Sequence, residues 1–242
     1  MMLAGLLNKD RPLRDVPVSI SLLVIIALVL QLLWHSQQKV EVAQAEDLPI
    51  PMSVDAYKMV SLNEPITMSK LLNLWLQAFD NQPGVSLSFH QLDYVRITQW
   101  LDTIMELDPR GSYPLLVAAR VYGRISDKHK QRLMMDYIYK KFNEEPNRHW
   151  RWLAHAATIA KHSLKDMPLA LEYARALNEK ATAKNVPYWA RDMHFILLED
   201  MGEIETAKVL VGALLEGGEI SDPYELRFLA EKIRELEEKS TK

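Results

Sequence analysis

Three histidines, His149, His155 and His162, share one short stretch with Trp150 and Trp152. Imidazole is the commonest metal-ligating side chain and carries protons near neutral pH. His155 and His162 are seven residues apart, so a helix puts them on one face, two turns from each other. Metal pairs on a helix more often use a spacing of three or four, and no carboxylate joins these histidines at that spacing. They read as packing, interface or surface residues, so no metal and no cofactor is expected. His129 lies within Asp127-Lys-His-Lys130 and reads as surface. No nucleophile elbow, phosphate loop, HExxH or framed carboxylate pair is present. The chain also has no cysteine, which removes thiol nucleophiles, thiolate metal sites and disulfides.

Recognition is the chemistry that the aromatic residues offer instead. Trp152 and Trp189 are 37 residues apart, and the same phase upstream falls on Phe79 and Leu116. Bulky residues at equivalent points either pack between helix pairs or line a groove as anchors, since aromatics dominate binding hot spots. On the second reading Trp152, His155, Trp189 and Asp192 face one groove and hold a protein partner. Charge is uneven: residues 124–151 hold eight Lys or Arg against four Asp or Glu, and residues 191–239 hold six against thirteen. The net charge of −3 and the lack of aromatic-interleaved basic runs argue against nucleic acid as a partner.

The elements that position these residues can be read in order. No charged residue falls between Val16 and Gln38. The apolar part, Val16 to Trp34, makes a helix roughly 28 Å long, close to the hydrocarbon thickness of a bilayer. A transmembrane helix is expected at 16–35, after an N-terminal tail at 1–15. Lys9, Arg11 and Arg14 precede it and only Lys39 soon follows. That bias places the N-terminus in the cytoplasm and the rest of the chain across the membrane, in the periplasm of a bacterium. A cleaved signal is the rival, because Ala43-Gln-Ala45 forms a small-x-small site, but the apolar run is long for a signal core. Residues 36–66 lack a helical stripe, and Leu48-Pro-Ile-Pro51 favours extended backbone. They are expected to be a spacer.

From residue 67 onward apolar residues recur at helical spacing. Helices are expected at about 67–80, from near Ser88 to Leu107, and then in pairs at 113–126 with 128–143, 148–163 with 166–183, and 188–201 with 203–216. Asp222-Pro223 offers an N-cap and a first-turn proline for a last helix, to about Lys239. The second helices align. Ile97, Met134, Ala170 and Ala207 are 37, 36 and 37 residues apart. Four positions on stand Leu101, Ile138, Ala174 and Val211. Seven on stand Ile104, Lys141, Leu177 and Leu214, with Lys141 the misfit. In-phase apolar residues at a fixed period are the mark of stacked hairpins. The expected fold class is therefore all-α: a transmembrane helix, then an α-solenoid of about four hairpins over 67–242 with a C-terminal capping helix.

The last unit resembles a tetratricopeptide repeat. Leu198, Gly202, Ala207, Val211 and Leu214 stand where that family places its aromatic, turn glycine, small residue and following core positions. Leu107-Asp-Pro109 is similar to the family's helix exit. The resemblance spans residues 67–218. It implies a membrane-anchored interaction scaffold or assembly factor that binds protein. The alternatives are a structural accessory subunit of a membrane complex and an enzyme whose site has no recognised motif.

Overall fold

The computed structural model describes residues 16–37, 45–218 and 220–240. The chain divides into two compact units, Met1–Gln44 and Ala45–Lys242. Lys9, Arg11, Arg14 and Lys39, which carry the orientation argument, lie outside the described residues, as do Ala43 and Gln44.

The first unit contains helix α1, Val18–Gln37. It starts two residues later than the expected 16, because the Pro17 carbonyl accepts the first bonds, from the Ile20 and Ser21 amides. Proline suits that place, since it needs no N–H donor there. No α1 residue is buried. At 20 residues the helix is about 30 Å long, enough to span a bilayer.

Among its described residues the second unit is helical apart from connecting turns and a hairpin of two two-residue strands, Asn81–Gln82 with Val85–Ser86. Gly84, at φ 78°, makes its turn. The helices are α2 (Val54–Val60), α3 (Pro65–Ala78), α4 (Tyr94–Leu107), α5 (Tyr113–Arg120) and α6 (Lys128–Glu144). They continue with α7 (Pro146–Ile159), α8 (Met167–Lys180), α9 (Tyr188–Asp200), α10 (Ile204–Glu216) and α11 (Pro223–Ser240). Side chains of Asp93, Asp127 and Asp166 cap α4, α6 and α8 by accepting first-turn amides, which satisfies donors the helix cannot reach. A π-helical turn, Ala160–Leu164, extends α7 and ends at Lys165 in the left-handed region.

The expected spacer at 36–66 is corrected from Ala45 onward. Leu48 and Tyr57 are core residues. Arg96 on α4 donates to the Leu48 carbonyl, and the Trp100 indole N–H donates to the Pro49 carbonyl at 2.7 Å. The two prolines do keep residues 48–51 out of a helix. The backbone carbonyls they leave free are taken up by α4 instead of water. Ser53 then caps α2, a helix too short to show an apolar stripe. The helix expected from Ser88 is a short 3-10 turn, Phe89–Gln91, and α4 begins after Asp93.

Each helix from α6 to α11 packs on the next, and α4 also meets α6, α5 meets α7 and α7 meets α9. Ile97, Met134, Ala170 and Ala207 are all fully buried, and so are Leu101, Ile138, Ala174 and Val211. Lys141 is buried too, at 9% exposure. Its ammonium lies 2.8 Å from Asp102 and 3.0 Å from Glu144, so a charged residue fills an apolar phase by carrying its partners with it. Bonds cross between residues near one period apart: Tyr173 to Asp136, Lys180 to Asn143, and the Ala183 amide to Asn147. The buried residues form two clusters. The larger runs from Leu48 to Leu197. The smaller joins Phe195, Leu198, Ala207, Val211, Leu229 and Leu236.

Candidate functional site

Helices α5, α7 and α9 line a cleft of about 390 Å³. Leu116 and Arg120 come from α5, Trp189 from α9, and Arg151, Trp152, Ala154, His155 and Thr158 from α7. Trp152 and His155 face the same way because three residues bring a helix most of a turn round. Trp189 is 55% exposed. Its ring meets Trp150 edge-on, with centroids 5.5 Å apart. Arg151 stacks its guanidinium 5.3 Å from the Trp150 ring centre. The wall is therefore aromatic, and an arginine is already laid over it.

The cleft is electropositive. Arg120 and Arg151 line it, and Arg124 is close enough to act on His155. Among the described residues none of these three arginines makes an ion pair with a carboxylate. Burial lowers the His155 pKa, and the charges of Arg120 and Arg124 lower it further. The imidazole is thus neutral near pH 7. Its Nε2 is buried without a hydrogen-bond partner, an unsatisfied polar atom in the helix that lines the cleft.

The four residues expected in one groove separate. Trp152, His155 and Trp189 come together. Asp192 does not: it is 5% exposed and lines a second cavity of about 720 Å³, with Tyr188, Arg191 and Leu214 among its other walls. The reason is what covers each side of α9. Trp189 looks toward α7, while Asp192 meets Glu225 of α11. Burial first, then the neighbouring Glu225 carboxylate, raises the Asp192 carboxyl to about 8, with Arg191 opposing. Glu225 is also raised, by burial foremost. Its Oε1 is buried and has no donor while both acids are ionised. A protonated Asp192 supplies that donor, so the two acids share a proton.

The other histidines scatter. His149 is buried in the core, where desolvation lowers its pKa. His162 sits on the π-helical turn, exposed. Among the described residues no group of three His, Asp or Glu is arranged to hold a metal. Sequence reasoning missed Arg120, Arg151 and Glu225. The basic excess of residues 124–151 was a signal for Arg151, whereas nothing local pointed to Glu225. Comparisons with protein-family models, with curated proteins and with solved structures find no match.

Proposed function

We propose that this chain is a membrane-anchored interaction scaffold, and that the cleft across α5, α7 and α9 docks an acidic segment of a protein partner. One observation carries the reading: two tryptophans, Trp152 and Trp189, and two arginines, Arg120 and Arg151, line a single open cleft, and among the described residues neither arginine pairs with a carboxylate. Aromatic and arginine side chains are what interface hot spots are made of. Guanidinium pairs with carboxylate through two parallel bonds, which adds orientation to attraction. Residues 45–242 act as a stack of tetratricopeptide-like hairpins closed by α11. The buried 36–37-residue phase and the bonds one period apart support this arrangement. Helix α1 is the anchor, and Lys9, Arg11 and Arg14 support an N-terminus on the cytoplasmic side.

The test is crosslinking in intact membranes from a photoreactive residue at Trp189. A protein adduct that is lost in Arg120→Glu/Arg151→Glu is expected. Crosslinking that is unchanged in the charge-reversed chain would remove the cleft from the interface. If the partner cannot be dissociated from the chain after detergent extraction, the scaffold is a permanent subunit of a complex.

A second reading, catalysis, is favoured by Asp192 and Glu225. A carboxyl with a raised pKa beside another carboxyl, at the wall of a cavity, is a combination that active sites use. We place it second because the pair joins α9 to α11 and so has a packing role already.

A further inference from the structure

The turn between α2 and α3 holds four large aliphatic side chains in solvent. They are Met59, Val60, Leu62 and Ile66, and Leu62 is 90% exposed. The turn is not a frayed end. The Ser61 amide donates to the Tyr57 carbonyl, the Asn63 amide to that of Lys58, and the Glu64 amide to that of Ser61. Tyr57 anchors α2 beneath it by packing on Trp100. Leu62 and Asn63 have φ of 52° and 66°, a left-handed conformation that a branched apolar residue rarely adopts. The fold thus holds a leucine in an unfavourable backbone region in order to present it outward. Backbone strain of this kind gathers where a surface has work to do.

We propose that this turn inserts into the lipid surface of the membrane that holds α1. The proposal rests on reading α1 as a membrane span. Two features favour lipid over a protein partner. The side chains are aliphatic, with no aromatic or arginine anchor among them, whereas protein hot spots favour such anchors. Reading α1 as a span leaves only residues 38–44 between the membrane helix and the second unit, a tether of about 30 Å at full extension. Lys70 lies one turn after Ile66 on the same side of α3 and is exposed, within reach of lipid phosphates once Ile66 is immersed.

The chain has no cysteine, so single labels can be placed at will. Full-length chains bearing Met59→Cys, Leu62→Cys or, as a control, the exposed Val209→Cys would be labelled with an environment-sensitive fluorophore. They would then be inserted in phosphatidylcholine–phosphatidylglycerol vesicles. Labels at 59 and 62 are expected to shift to the blue and be quenched by doxyl lipids, and the label at 209 to do neither. Met59→Glu/Leu62→Glu, labelled at position 60, is expected to return that label to water while the chain remains vesicle-bound. Carbonate-resistant flotation reports the anchor separately. A chain that does not float refutes the anchor and the proposal together. A chain that floats with its labels at 59 and 62 in water refutes the proposal alone. So does a label that leaves water only when a soluble protein extract is added.

Discussion

Asp192 and Glu225 carry a proton that an exposed pair would give up. The unfolded carboxyl titrates near 4 and the folded Asp192 near 8. A raised folded value means that the folded state binds the proton more tightly. The contribution is therefore full below about pH 4 and is lost as pH climbs through about 8. Thermal unfolding followed by circular dichroism should give a melting temperature that falls over that interval, and Asp192→Asn should flatten the fall. Lys141 is the opposite kind of residue, a buried cation with its counter-charges supplied. Lys141→Met leaves Asp102 facing an apolar side chain, at a cost of about 1–3 kcal/mol, measurable as a lower denaturant midpoint. Lys141 stood out in the sequence as the misfit in its phase. Its partner Asp102 did not, because a contact 39 residues away leaves no local mark. Glu225 escaped notice for the same reason.

Among the elements, the second helices of each pair were legible because four equivalent positions repeat the same burial. Met134 is fully buried within the larger cluster. Met134→Ala should cost about 2–5 kcal/mol, and Ala170→Leu at the equivalent place about 1–3 kcal/mol through overpacking. Equilibrium unfolding in urea distinguishes these from surface effects. Gly202 turns α9 into α10 with φ of 81°, and a Cβ there meets nothing within 4 Å. Gly202→Ala should therefore cost only the left-handed backbone term, about 1–2 kcal/mol. The short α2 was not legible. Seven residues do not complete two helical turns, so no stripe can form. Its burial comes from Tyr57 meeting Trp100, a pairing set by the fold and not by periodicity. The cleft was half legible: repeat phase brought Trp152 and Trp189 together, and Asp192 went astray because α11 covers its side of α9.

For the whole molecule, the correction at the start of the second unit changes where the domain begins. A fragment cut at residue 60 loses Leu48 and Tyr57 and uncovers Trp100. The fragment 45–242 should be soluble and cooperatively folded, and 61–242 less stable or aggregated, as read by circular dichroism and gel filtration. The two apolar clusters set a further consequence. Helix α9 belongs to both, giving Ala190 and Leu197 to the larger and Phe195 and Leu198 to the smaller. Helices α10 and α11 have only the smaller. Truncating the chain after residue 202 would therefore strip only the smaller cluster, and α9 would keep its hold on the larger one through Ala190 and Leu197, with Trp189 still at the cleft.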